Sequence, residues 1–393
     1  MKVLHISIND FMGAGLCAYR INKALQQEGV DSKMLVVYKK SKDSSVVPYG
    51  KRTILFYKLL NKVLVILHLT LTSESKVISM TRKLKTAFSL PISHVDLAKN
   101  PLVKDADIIH LHWVNGMLDY QSFFEKIKKP VVWTLHDENL FCGIAHYKGA
   151  VINCSEEQKY AELKKIAIKG IDNLSIVFLS QYFNAKFRDE EIINKAKKYV
   201  INNSVECSNY YPKDKIIARN DLGLPLDVVL LLFIAYDITE ERKGLNKLIK
   251  AVEILNDDNI KILAIGKCGS FEGHKSVITI GSVSCADEMS NAISASDIFV
   301  MPSTQEAFAQ TPIEAMACGK PAVVTPVSGT EELITHDNGI ICSGFESEDI
   351  ATGIRKVLSR QYSPEIIRQD VMNRFSPRKI AQQYIDVYNE ILV

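Results

Sequence analysis

Apolar runs of strand length alternate with amphipathic stretches of helical period along the whole chain, a pattern that predicts parallel sheets covered by helices. In the first half the runs predict strands at Val3–Ile8, Lys33–Tyr38, Asp107–His112, Val131–Leu135, Ile176–Leu179 and Tyr199–Ile201. Asn202 to Pro212, rich in Asn and Ser, breaks the period and reads as a linker. A second series follows, with strands at Val228–Ala235, Lys261–Ile265, Val277–Ile280, Ile298–Val300 and Ala322–Thr325. The expected architecture is α/β, with two Rossmann-like doubly wound domains facing across a cleft and ligands at the carboxyl ends of the strands. The boundaries drawn are residues 1–205, residues 206–375, and a final helix over 376–393 that packs back on the first domain.

Length supports that division, since 393 residues exceed what one hydrophobic core usually holds. Hydrophobic residues at 47% and charged residues at 24% place the chain among globular proteins, and a net charge of +3 gives no reason to expect nucleic acid as a partner. The eight cysteines show neither close pairing nor repeated C-x-x-C spacing and read as reduced thiols. The opening apolar run is too short for a signal peptide, so a cytoplasmic location is expected.

Ile54 to Thr72 is nearly long enough to span a bilayer, but Lys58, Asn61, Lys62 and His68 interrupt it. Flanked by Lys51, Arg52, Lys76, Arg82, Lys83 and Lys85, it reads either as an apolar helix peripheral to an anionic membrane or as a core helix with solvated lysines.

The first strand-to-helix turn, Asn9 to Ala18, matches G-x-G-x-x-A through Gly13, Gly15 and Ala18. A dinucleotide site would also want an acid after the second strand, where the chain instead has Tyr38-Lys39-Lys40, so no cofactor is expected. Gly13 and Gly15 are left as an acceptor or phosphate loop, or as a structural tight turn.

From Met301 to Pro321 the sequence reads strand, loop, helix and stop, with Thr311 as N-cap, Pro312 after it, Glu314 completing a capping box and Gly319 ending the helix. The free amides of that helix start suit a diphosphate. Earlier, Glu241-Arg242-Lys243-Gly244-Leu245 opens another helix, and two cations beside its start suit a diphosphate leaving group, a role that a divalent metal fills elsewhere; no metal is expected. In Ile109-His110-Leu111-His112-Trp113, alternation sends the two histidines to one face, and His136 ends the next strand. Cys142, His146 and Cys154 lie close in sequence but fall one ligand short of a usual structural zinc site.

Glu306 and Glu314 form E-x7-E within this strand–loop–helix unit, and the segment with its continuation Ala322 to Glu332 resembles the donor-site signature of retaining GT-B glycosyltransferases, the glycosyl transferases group 1 family. The resemblance implies that Glu314 binds the donor ribose and Glu306 contacts the transferred sugar. It also implies that Phe308, Ala309, Gln310 and Thr311 present backbone amides to sugar and phosphate, and that His112 faces the donor sugar. Arg242 and Lys243 then stabilise the departing diphosphate; many relatives carry a further arginine where this chain has Ala235-Tyr236-Asp237. The first domain would take the acceptor and the second the nucleotide diphosphate sugar.

The implied activity is metal-independent, retaining transfer of a hexosyl unit to a saccharide or lipid-linked saccharide acceptor, in the making of a surface polysaccharide such as lipopolysaccharide or capsule, at the inner face of the cell membrane. The alternatives are a sugar-nucleotide epimerase of the same fold, a non-catalytic scaffold subunit, and, against the missing acid, a nicotinamide oxidoreductase.

Overall fold

The computed structural model describes residues 1–67, 69, 71–81, 88–149, 154–269, 271–283 and 285–393. They form two compact units, one of Met1–Asn202 with Ile380–Val393 and one of Asn203–Lys379.

The first unit is built on seven strands, β1 (Lys2–Asn9), β2 (Asp31–Tyr38), β3 (Val46–Pro48), β4 (Ile108–Leu111), β5 (Val131–Leu135), β6 (Leu174–Phe178) and β7 (Lys197–Val200). They pair in parallel in the order β3-β2-β1-β4-β5-β6-β7. The chain runs outward from β1 to β3, then returns beside β1 with β4 and runs the other way. The order therefore reverses between β1 and β4, and the loops leaving those two strands diverge to open a crevice. Central strands are buried on both faces, which is why β1 and β5 read as near-continuous apolar runs. β3 gave no such run: it has three residues, lies at the edge and ends in a proline, which cannot donate to a ladder.

The helix Pro377–Leu392 buries Ile380, Ala381, Tyr384, Val387 and Tyr388, a stripe of helical spacing. These side chains share a core with Val3, Ile21, Leu25, Ile108, Val132 and Val177. Two of them bring hydroxyls into that core and find partners there. Tyr388 Oη lies 2.6 Å from His110 Nδ1, and Tyr384 Oη lies 3.0 Å from Thr134 Oγ1, which in turn sits 2.8 Å from His110 Nε2.

The expected apolar helix forms over Lys51–Ile66 but stops there instead of continuing to Thr72. The chain doubles back into a helix over Ser73–Thr81, and buried Asn61 ties the hairpin by accepting from the Thr72 hydroxyl and donating to Glu74, each at 2.5 Å. No helix among the described residues is long and apolar enough to cross a membrane. Arg82, Lys83 and Lys85 lie outside the described residues.

The second unit carries β8 (Val229–Asp237), β9 (Ile260–Lys267), β10 (Val277–Thr279), β11 (Ile298–Met301), β12 (Ala322–Val324) and β13 (Gly339–Ile341), all parallel, in the order β10-β9-β8-β11-β12-β13. Here the reversal falls between β8 and β11. β13, which the sequence reading missed, is a three-residue edge strand that begins with a glycine and so offers only two apolar residues. One face of the sheet buries Leu231, Phe233, Ile262 and Val300 against helices Leu245–Leu255 and Ser347–Leu358. Fully buried Arg219 braces the base of the sheet, donating to the carbonyls of Ala295, Pro225, Leu226 and Val228 and pairing with Asp297 at 2.7 Å.

Four imidazoles, His5, His110, His112 and His136, share the interior of the first unit, and burial drives all of them below the ordinary histidine value, His5 to about 3 and His136 to about 4. Above pH ~6.5 they are neutral folded and unfolded alike; below it the unfolded chain takes up protons that the folded chain refuses. Stability is therefore expected to fall between pH ~6.5 and ~5, by up to about 1.4 kcal/mol per pH unit for each histidine. Urea unfolding across that window measures the slope, and His110→Gln should reduce it by about one proton.

Candidate active site

The loops leaving β8 and β11 meet at the reversal point of the second unit. After Asp237 the chain makes a tight turn over Glu241–Lys243, and Gly244 follows at φ 81°, a left-handed conformation. A Cβ on Gly244 would lie 2.2 Å from the Pro302 carbonyl oxygen, so glycine is required both by its dihedral and by the contact of the two loops. Thr304 N donates to Arg242 O at 2.9 Å across the same seam. On the far side, Thr325 Oγ1 donates to Met301 O at 3.1 Å and Ser303 O at 2.5 Å, and Ser328 Oγ donates to Ala307 O at 3.1 Å.

These fixed backbones bring Arg242, Lys243 and Glu306 together. Lys243 Nζ lies 2.6 Å and Arg242 Nη1 3.4 Å from Glu306 Oε1; Arg242 also donates to Gln305 O at 2.6 Å and pairs with Glu240 at 2.9 Å. The Glu306 side chain is only 10% exposed. Burial pushes its pKa up, but the Lys243 and Arg242 charges, with a hydrogen bond from each of Lys243 and Ser303, outweigh burial and hold it below the ordinary glutamate value. The arrangement is a desolvated carboxylate neutralised by two partly exposed cations.

Glu314 is buried on the helix Thr311–Ala317. The expected capping box does not form. Gln310 already has helical dihedrals, φ −80° and ψ −37°, and occupies the cap, so Thr311 is the first helical residue and no side chain caps the helix. A capping box needs an extended cap residue, which this chain lacks here. Gly319, at φ 75° just past the helix end, is the expected stop. Phe308 and Ala309 are buried, the Phe308 ring 6.4 Å from that of Phe375, and Gln310 Nε2 donates to Ser204 O at 2.9 Å. At the end of β8, where the family resemblance leads to the expectation of a further arginine, Tyr236 is exposed, and Lys267 at the end of β9 donates to its hydroxyl at 2.7 Å.

Gly13, Gly15 and His112 belong to the first unit, around its own reversal point. A Cβ on Gly15 would lie 2.2 Å from Asn9 O, and Gly13 has φ 46°. Asn9 Oδ1 accepts from the amides of Phe11 and Met12, while buried Asp10 accepts from those of Lys40 and Ser41. The loop thus closes largely on itself and on the end of β2. His112 is buried with both ring nitrogens engaged, Nε2 at 2.9 Å from His5 Nδ1 and Nδ1 at 3.1 Å from His136 Nε2. His5 escaped the sequence reading because it sits mid-strand on β1, opposite His110, with no motif around it. Cys142, His146 and Cys154 do not assemble a metal site: among the described residues the one group of ligand type is His5, His110 and His112. Both His110 nitrogens already have oxygen partners, and His146 is engaged by Asp137 and Ser89.

Two doubly wound parallel units, the second carrying E-x7-E at its reversal point, define the GT-B glycosyltransferase fold. Residues 214–374, which lie within the second unit and make up less than half of the chain, match the glycosyl transferases group 1 family. An uncharacterized glycosyltransferase of Methanocaldococcus jannaschii is 31% identical over 192 residues, 45% of this chain and 48% of that protein, so the match spans about half the relative's length. Sucrose-phosphate synthase from Thermosynechococcus elongatus superposes with a TM-score of 0.68 at 16% identity, covering 100% of this chain and 99% of that one. Anabaena HepE in complex with UDP-glucose superposes with a TM-score of 0.63 at 18% identity, covering 99% and 100%.

Gly244→Ala tests the seam. The left-handed dihedral and the Pro302 contact together are expected to cost about 1–3 kcal/mol of stability in the second unit, read by urea unfolding. A similar alanine at Gly273, which has positive φ but open space at its Cβ, should cost less.

Proposed function

We propose that this chain is a retaining glycosyltransferase that moves a sugar from a nucleotide diphosphate sugar to a saccharide or lipid-linked saccharide acceptor of a surface polysaccharide. The observation that carries the reading is the convergence of Lys243 and Arg242 on the buried Glu306 carboxylate at the reversal point of the second unit. The UDP-glucose held by the structurally similar Anabaena protein supports this choice of donor class.

Without donor, Glu306 neutralises the two cations. An incoming diphosphate competes for them, and the carboxylate so released accepts hydrogen bonds from hydroxyls of the transferred sugar. Glu314, eight residues on, holds the ribose, and Phe308 to Thr311 supply backbone contacts to sugar and phosphate. The acceptor oxygen then bonds to the anomeric carbon from the side the diphosphate leaves. The carbon–oxygen bond to the phosphate breaks, its electron pair stays on the phosphate oxygen, and that oxygen takes the acceptor's proton. Lys243 and Arg242 stabilise the charge as it grows, so the mechanism assigns no metal. His112, fixed between His5 and His136, serves as a neutral positioning group for the donor sugar.

A thermal-shift and turnover screen against UDP-, GDP- and other nucleotide sugars, with EDTA present, tests the reading. One donor should raise the melting temperature by selective binding to the folded state and be slowly hydrolysed. Glu306→Gln and Lys243→Met should lower turnover at least about a hundredfold, in line with loss of a preorganised electrostatic group. Absence of any stabilising sugar nucleotide would overturn it, and conversion of the donor sugar without transfer would point to an epimerase.

The membrane-facing part of the proposal rests on helix Lys51–Ile66 and the residues after it. Phe56, Leu59, Val63, Ile66, Leu67, Leu69 and Leu71 are exposed, the helix contains no acidic residue, and Lys58 and Lys62 are exposed among them. Apolar side chains beside cations suit shallow insertion into an anionic leaflet, where a lipid-linked acceptor would lie. The protein should float with anionic vesicles and not with neutral ones, and Leu59→Glu with Ile66→Glu should abolish flotation; equal recovery with both lipids would exclude the surface.

A further inference from the structure

The pattern of β8 alternates as far as Ala235 and then slips by one. Leu231, Phe233 and Ala235 face one core of the second unit; unbroken alternation would send Asp237 after them, but Ile238, 1% exposed, is the residue that rejoins that core. The slip is a β-bulge. β8 and β9 pair residue for residue from Val229↔Ile260 to Ile234↔Ile265 and resume at Asp237↔Lys267, so Ala235 and Tyr236 together face the single residue Gly266. Gly266 has φ 147°, and a Cβ there would lie 2.0 Å from the Ala235 carbonyl oxygen, so the bulge requires glycine at this position. Burial ends with the bulge: Leu230 and Leu232 are fully buried, whereas Tyr236 is 60% exposed.

The bulge presents a pair of side chains. Lys267, the last residue of β9, donates from Nζ to Tyr236 Oη at 2.7 Å, and the same nitrogen lies 4.5 Å from the centre of the tyrosine ring. Tyr236 thus holds in place a long side chain whose freedom would otherwise oppose binding. Among the described residues no carboxylate pairs with Lys267, whereas Arg242 pairs with Glu240, Lys243 with Glu306 and Lys247 with Glu346. A phenol steadies an ammonium without cancelling its charge, which stays available to an anion.

Lys267 stands beside the loop that carries the other two cations. Ile238 N donates to Lys267 O at 3.0 Å, and from there the loop winds through two tight turns, Glu240 N donating to Asp237 O at 3.2 Å and Lys243 N to Glu240 O at 2.9 Å. Gly269, two residues past Lys267 with φ 49°, lies so near that a Cβ on it would be 3.0 Å from Thr239 Oγ1. The loop of Arg242 and Lys243 is therefore held by Pro302 on one side and by the chain leaving β9 on the other. Neighbouring strands are about 4.8 Å apart, a distance that a lysine side chain spans. A lysine ending β9 can thus serve the space that an arginine rooted at the end of β8 would have reached.

Charge balance gives Lys267 its part. Arg242 and Lys243 face Glu240 and Glu306, so those four groups sum to zero. A site for a diphosphate needs a surplus of positive charge, and Lys267 supplies it. We infer that Lys267, steadied by Tyr236, is a third cation of the donor site and binds a phosphate oxygen of the nucleotide diphosphate. The inference rests on the reading of the second unit as a donor site. Lys267 touches the phosphate; Tyr236 acts through Lys267 and is a positioning residue.

Calorimetric titration of the full chain with UDP, GDP and inorganic pyrophosphate tests this. Lys267→Met should weaken pyrophosphate, and whichever nucleotide binds, about tenfold or more, the worth of one hydrogen bond to a charged group. Tyr236→Phe keeps the ring and drops the hydroxyl, and should weaken the same ligands about twofold to threefold. In the Lys267→Met background Tyr236→Phe should add nothing, a coupling that a merely structural tyrosine would not show. Lys261→Met is the control: it lies six residues back on the same strand, about 20 Å away, and should bind like the parent. Both lysines and Tyr236 are at least partly exposed, so the unliganded variants should melt with the parent protein. If Lys243→Met loses the ligands while Lys267→Met binds them as the parent does, the donor reading stands and the inference is wrong. If Lys267→Met weakens a nucleotide but leaves pyrophosphate untouched, the lysine contacts the nucleoside and the inference is also wrong. If the parent binds none of the three, the donor reading falls and takes the inference with it.

Discussion

Glu306 stays ionised in a place that strips it of most of its water, and the second unit's functional geometry depends on how that is achieved. An isolated carboxylate in such a site would take up a proton. Lys243 and Arg242 prevent this, but only because Gly244 lets its loop touch Pro302 and because the Arg242 carbonyl accepts from Thr304. The ion cluster is thus a consequence of two backbones brought within contact where the strand order reverses. A buried ion pair adds little net stability, since desolvation offsets most of the attraction. On the proposed reading its value is that a polyanion displaces the carboxylate and inherits cations already in position.

The first unit handles burial in the opposite way. Around β1, β4 and β5 the interior holds imidazoles and hydroxyls rather than charges, linked by chains of neutral hydrogen bonds through His5, His112 and His136 and through His110, Thr134 and Tyr388, while His5 Nε2 and Ser7 Oγ are left without a partner. Neutral groups tolerate a desolvated setting, and both histidines of the H-x-H motif are locked in it. His110 is consumed by the helix Pro377–Leu392, leaving His112, one residue past the end of β4, as the member lining a pocket at the end of that strand. The motif's two histidines are thus held differently, His110 by Tyr388 and Thr134 and His112 by two other imidazoles.

Much of this was legible because a parallel sheet writes itself as apolar runs. Eleven strands could be read from such runs, the three-residue edge strand β10 among them, while β3, which ends in Pro48, and β13, which begins with Gly339, could not, each offering only two apolar residues. The pairing of Glu306 with Glu314 and of Arg242 with Lys243 was visible as spacing, but the salt link between the two pairs was not, since 63 residues separate Lys243 from Glu306. Local chemistry misled at one point: Thr311-Pro312-x-Glu314 has every residue of a capping box, yet Gln310 already turns into the helix and the cap moves back by one. His146 read as a failed zinc ligand because its partners, Asp137 and Ser89, are nine and 57 residues away.

Both reversal points rest on a glycine that no other residue can replace without moving backbone. Gly15 lies against the Asn9 carbonyl at the end of β1, and Gly244 against the Pro302 carbonyl after β11. The two glycines do different things. Gly15 lets the start of its helix fold onto the strand it follows, so that loop ends up satisfied by its own Asn9 and by Asp10, with little left to offer a ligand. Gly244 instead binds one loop to a different one, and the side chains on either side of the seam face each other. A glycine-rich turn after a first strand is thus weaker evidence for an anion site than a cation pair whose loop is anchored to its neighbour. In the second unit the charged groups that can engage an anion are gathered where two loops share a backbone contact.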